Sequence, residues 1–222
     1  MRPNQFKSRR IQGGLTWVLL GAMGLHCSAQ APAGSAPVPQ GGPQDAAYHG
    51  GLVTPPLPKP AFTLTDTSGA AFDFRNGTDG YVTLLYFGFC HCQTACPMQM
   101  NYLASALRSV PQDVRSKIKV VFVTTDPERD NPRMVRTWLN RFDRSFIGLT
   151  GTVAEIQNAE TAAKLPRTIK PDEHAAFVVA YTRDNLGHVI YPAGMTQADW
   201  IHDLPRLVNE TWTTAGISGL QP

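Results

Sequence analysis

The sequence predicts an α/β fold with a mixed central sheet, and three observations carry that expectation. Residues 82–87 (Val-Thr-Leu-Leu-Tyr-Phe) form an apolar, β-branched and aromatic run, the pattern of a strand buried on both faces. Shortly after it, Met100, Leu103, Ala104 and Leu107 recur at helical spacing. Beyond that, strand and helix patterns alternate until a hairpin and a final helix close the chain, so helices are expected on both faces of the sheet.

The first 29 residues read as an address. Arg2, Lys7, Arg9 and Arg10 give a basic start, and residues 15–25 are mostly apolar but short for a membrane span. Cys27-Ser28-Ala29 suits a cleavage site, which would make Gln30 the first mature residue. Lipidation of Cys27 is an alternative, although His26 stands where a small residue is usual. An uncleaved anchor is another. Ser8-Arg9-Arg10 resembles a twin-arginine signal but is followed by Gln12-Gly13-Gly14. The expectation is an exported chain, periplasmic or otherwise extracytoplasmic, tethered to the membrane by an N-terminal anchor or lipid. This segment holds four of the 20 Lys and Arg and no acid, leaving 16 basic against 17 acidic residues, a net charge of −1. The basic balance of the whole chain therefore belongs to the leader, and nothing points to nucleic acid.

Residues 30–60 are rich in Pro, Gly and Ala without periodicity and predict a flexible tether. Residues 61–222 remain for one domain with a sizeable core. Residues 62–66 and 71–74 alternate around Asp66-Thr67-Ser68-Gly69, an entry β-hairpin. Residues 118–125 form the strand after the first helix. Asn131, with Pro132 behind it, caps the next helix. Residues 146–149 are a short strand, and Thr152 with Glu155 opens a helix to about Leu165 as a capping box. Residues 175–181 and 188–191 form a hairpin around Asp184-Asn185-Leu186-Gly187, and Thr196 with Asp199 opens the last helix.

Cys92 and Cys96 lie where the buried strand turns into its helix, which suggests a thioredoxin-like domain, although three residues rather than two separate them. With Pro97 at the first helical position, Cys96 would be the N-cap, and the helix dipole would favour its thiolate. Thiolates are both redox nucleophiles and soft metal ligands, so the cysteines alone leave the two readings open.

Taken together, Tyr86-Phe87-Gly88-Phe89 with His91-Cys92 and Cys96-Pro97, the segment Asp126-Pro127-Glu128-Arg129-Asp130, Gly148-Leu149-Thr150-Gly151, and His174 ahead of the strand at 176–179 resemble the Sco/SenC family of copper proteins. The resemblance covers residues 61–206. It implies a thioredoxin-like fold binding copper, as Cu(I) or Cu(II), through Cys92, Cys96 and His174. It further implies a metallochaperone that delivers copper to the binuclear centre of cytochrome c oxidase or reduces that centre's cysteines. Partners would be the oxidase's copper-binding subunit, another copper carrier or a thiol reductase. A thiol-disulfide oxidoreductase or thiol peroxidase using Cys92 and Cys96 as its redox pair is the competing class. The chain departs from the family at Cys90, where Thr is usual, and at Gln93, where Pro is common. Cys90, on a strand-like stretch, should point the same way as Cys92. It joins His91 and Asp126 as an accessory candidate at the site. Of the soft donors Met98 and Met100, one is expected in the core. His188 is expected at the surface of its hairpin.

Overall fold

The computed structural model describes residues 48–170 and 174–212. The expectations for the leader at 1–29 lie outside them. In chain order the strands are β1 (Gly51–Pro58), β2 (Thr63–Asp66), β3 (Ala71–Asp73), β4 (Val82–Gly88), β5 (Ile118–Thr124), β6 (Ile147–Thr150), β7 (Val178–Tyr181) and β8 (Leu186–Tyr191). The helices are α1 (Phe74–Gly77), α2 (Ala95–Ser109), α3 (Gln112–Arg115), α4 (Pro132–Leu139), α5 (Val153–Ala162) and α6 (Gln197–Asn209). The strands form one sheet in the order β1-β8-β7-β4-β5-β6-β2-β3.

The sheet is mixed, as predicted: β4 runs parallel to β5 and antiparallel to β7. Every residue of β4 is buried, and successive side chains point to opposite faces. Val82, Leu84 and Tyr86 pack with residues of α2, α4 and α6. Leu85 and Phe87 pack on the other face with Phe74 of α1 and Ile156 and Ala159 of α5. Two apolar cores thus sandwich the sheet, with helices on both sides.

The caps follow the sequence closely. Asn131 accepts from the Met134 N–H at the start of α4, and both Thr152–Glu155 and Thr196–Asp199 form reciprocal capping boxes. Helices α1 and α3, of four residues each, are too short to show a period and were not expected.

The predicted tether needs correction at its C-terminal end. Residues 51–58 are a strand paired antiparallel with β8, not a flexible linker. Pro55, Pro56 and Pro58 hide it from periodicity arguments. Proline is tolerated there because β1 is an edge strand, and the register shift between Leu52 and Leu57 accommodates the interruption. Lys59 follows with only 1% exposure, donating from Nζ to the Thr78 carbonyl (2.9 Å) and Thr83 Oγ1 (3.1 Å). The folded unit therefore includes residues from Tyr48 onward, ahead of the expected boundary at 61.

Candidate metal centre

The site forms where β4 and β5 end together. Thr125 N–H donates to the Gly88 carbonyl (2.7 Å), tying the two exits, and the chain then turns through Phe89–Cys92 into α2. Strand ends of a sheet of this kind open onto a common crevice. Gly88 is required by close approach: a Cβ there would lie 2.9 Å from Tyr86 Cε1, 3.0 Å from Cys96 Sγ and 3.1 Å from Phe122 Cε2.

Helix α2 begins at Ala95, with Thr94 as N-cap and no side-chain cap bond. Cys96 is thus inside the first turn, not at the N-cap, and Pro97 follows it, its missing N–H costing nothing in a first turn. The free N–H of Cys96 points at Cys92 Sγ (3.4 Å). The sulfur that meets the helix N-terminus is therefore that of Cys92, which reverses the expectation from sequence. Burial pushes the Cys92 thiol up, but the backbone N–H groups of Cys96, Thr94 and Ala95 outweigh it, leaving the thiol below its ordinary value.

Cys96 is fully buried. Burial drives its thiol up to about 12, against the opposing bond from Tyr86 Oη, which donates to Sγ at 3.4 Å. His174 Nε2 lies 3.5 Å from the same sulfur. The histidine arrives from 78 residues away because β7 runs antiparallel beside β4, which sets the entrance of β7 at the exit of β4 (Tyr86 opposite Val178). Its ring stands edge-on to Phe89 (5.5 Å) and Tyr86 (6.1 Å). Burial holds its imidazole below the usual histidine range. One ligand atom each from Cys92, Cys96 and His174 lies within 4.8 Å of the others. Two sulfurs and an imidazole are a donor set suited to a soft, low-coordinate metal such as Cu(I).

The accessory candidates fall elsewhere. Residues 90 and 91 are in a turn, so strand alternation does not apply to them. Cys90 lies outside that cluster: its N–H donates to Asp130 Oδ2 (2.8 Å), and burial, reinforced by the Asp130 carboxylate, pushes its thiol up. It does share with Cys92 a depression of about 360 Å³ lined also by Gln93, Pro97, Trp138, Arg141 and Phe142. His91 Nδ1 pairs with Asp130 Oδ1 (3.2 Å), and its group is the acidic one of Asp126 and Asp130. Asp126 sits at the end of β5 as expected, buried and paired with Arg129.

Asp130 is the residue the sequence did not single out. Fully buried, it accepts from Cys90 N–H and from Thr124 Oγ1 (2.7 Å) and so anchors the cysteine loop to β5. Met100 is the core methionine and Met98 the exposed one. His188 is half-buried, stacked on Trp212 (4.0 Å) and paired with Asp184 (2.8 Å), rather than free at the surface.

An open-sided mixed sheet with a cysteine pair and a distant histidine gathered at its strand-to-helix corner defines a thioredoxin-like protein equipped for soft-metal or thiol chemistry. Within that class the chain belongs to the SCO1/SenC family, whose model matches residues 54–209. It is 34% identical over 116 residues to the mitochondrial protein SCO2 of Saccharomyces cerevisiae, a match covering 50% of this chain and 38% of that one. The solved structure of Bradyrhizobium japonicum ScoI with copper bound is 30% identical, with a TM-score of 0.58 over 68% of this chain and 99% of that one. Apo Sco1 of Thermus thermophilus is 26% identical, with a TM-score of 0.63 over 72% and 97%. The matches to the first curated relatives span between 38% and 52% of those relatives' length.

Proposed function

We propose that this protein is a copper metallochaperone that holds Cu(I) on Cys92, Cys96 and His174 and delivers it to the binuclear copper centre of cytochrome c oxidase. The convergence of those three ligand atoms within 4.8 Å carries the reading. It is supported by family membership and by a 30%-identical relative solved with copper bound. The site is asymmetric in a way that suits a carrier. Cys96 is fully buried and His174 is half-buried with its Nδ1 enclosed, whereas Cys92 stands half-exposed at the mouth. A thiolate of the oxidase's copper-binding subunit can displace Cys92 first, so the ion passes by ligand exchange with no change in its oxidation state. Copper as Cu(II) would draw on the same imidazole and thiolates.

The same asymmetry favours a second reading, reduction of a partner's disulfide. The Cys92 thiolate attacks one sulfur of that disulfide and expels the other as a thiolate. Cys96 then displaces the mixed disulfide, leaving Cys92–Cys96 oxidised and the partner carrying two thiols. A thiol reductase must then return the two electrons.

The protein acts outside the cytoplasm in this account, exported by residues 1–29 and held at the membrane by that segment or by a lipid on Cys27. No helix of the described residues is long and apolar enough to cross a membrane.

Deleting the gene in its own host tests the function. Copper content and activity of cytochrome c oxidase should fall, and wild-type protein should restore them where His174→Ala does not. Full rescue by His174→Ala, with none by Cys92→Ser, would favour the reductase over the carrier.

A further inference from the structure

A second cluster of ligating side chains lies away from the cysteines, where the first described residues meet α6. His49 and His202 stack in near-parallel planes, 4.1 Å between centroids and 14° apart. Each ring is tied to a carboxylate: His49 Nδ1 to Asp199 Oδ1 (2.6 Å) and His202 Nδ1 to Asp203 Oδ1 (2.5 Å). One ligand atom each from His49, His202 and Asp203 lies within 4.8 Å of the others.

Asp203 is fully buried, and its oxygens accept from the N–H groups of His49 (2.9 Å) and Gly50 (3.2 Å). Among the described residues, the ion-pair partners of Asp199 and Asp203 are the two histidines. Imidazole balances a carboxylate only when protonated, and a buried carboxylate is costly without a countercharge. A divalent cation would balance both carboxylates while leaving each imidazole a lone pair to donate. The histidine side chains keep 33% and 28% of their surface exposed, so an ion can reach them.

We propose that His49, His202 and Asp203 form a second metal site, for a borderline divalent cation such as Zn2+ or Cu2+, with Asp199 orienting the His49 ring. Imidazole and carboxylate donors suit such ions, whereas the thiolate pair selects softer Cu(I). A carboxylate behind a ligating imidazole is a common support for a bound metal. The site is remote from the cysteines. Gln197, at the start of α6, reaches Ser109 at the end of α2 (3.4 Å), and Cys96 occupies the first turn of α2, about 20 Å away along its axis. The ion would clamp the entry of the folded domain, already held by Tyr48 to Glu210, onto α6. This proposal does not depend on the copper-carrier reading.

The test uses the full-length chain with all four cysteines changed to Ser, so that only nitrogen and oxygen donors remain, titrated with Zn2+ by calorimetry and by thermal melting. One Zn2+ per chain should bind and raise Tm, and His49→Ala or His202→Ala should each weaken binding at least about tenfold. The metal-free melting of each variant shows that it is folded. No saturable binding, or saturable binding that ignores both histidine variants, would overturn the proposal and leave the cluster a metal-free clamp.

Discussion

The structure assigns unequal reactivity to thiols that the sequence presents side by side, and iodoacetamide tests that at pH 7. Cys92 lies below the ordinary thiol value of 9.0, while burial puts Cys96 at about 12. The thiolate fraction falls tenfold for each pH unit below the pKa, so Cys92 holds at least about a thousandfold more thiolate than Cys96. The more basic thiolate is intrinsically the better nucleophile, with a Brønsted slope near one half. That returns about thirtyfold and leaves a rate advantage of at least about thirtyfold for Cys92. Complete burial of Cys96 enlarges it. In reduced, metal-free protein, peptide mapping by mass spectrometry over time should therefore show Cys92 modified first. Cys90, pushed up by burial and by Asp130, should lag with Cys96. The Cys92 rate should level off below pH 9, while that of Cys96 should still be climbing toward pH 12. Cys96 or Cys90 reacting as fast as Cys92 at pH 7 would refute the assignment of the helix N-terminus to the Cys92 sulfur.

Three further outcomes follow from the packing. Gly88→Ala would thrust a methyl against Tyr86, Cys96 and Phe122, all essentially buried, and should cost about 1–3 kcal/mol in urea unfolding and weaken copper binding; an unchanged midpoint would contradict the geometry. Asp130→Ala removes the acceptor of Cys90 N–H and Thr124 Oγ1 inside the core and should cost about 3 kcal/mol or more, with faster exchange of the Cys90 amide as the local readout. A chain started at residue 61 loses β1 and the buried Lys59 and should melt well below one started at residue 47; equal melting temperatures would restore the tether to its full predicted length.

Elements whose residues repeat a strong local pattern were legible in advance. The six-residue run at 82–87 reads as a doubly buried strand, and the Thr152–Glu155 and Thr196–Asp199 boxes mark the starts of their helices to the residue, although α5 ends at Ala162 rather than near Leu165. The edge strand β1 was not legible, because three prolines replace the alternation that pairing with β8 would otherwise print. At the site, Cys92, Cys96 and His174 were legible as candidates through the family resemblance, and the structure brings all three together. Which thiol faces the helix N-terminus was not legible, since it turns on whether α2 starts at Ala95 or one or two residues later. Asp130 lies within a recognisable motif, but nothing local says that its carboxylate reaches back to Cys90 across the ends of two strands. The pairing of His49 with His202 depends on where the folded domain begins, a boundary that the prolines of β1 conceal.

Anaerobic competition for Cu(I) against a calibrated chelator tests the central claim most directly, using the reduced full-length chain beside its His174→Ala and His91→Ala variants. The account predicts one tightly held Cu(I) per chain, weakened at least about tenfold by His174→Ala, a lost ligand, and unchanged by His91→Ala, whose ring serves Asp130 instead. Cu(I) affinity that ignores His174, or that depends on His91, would contradict it.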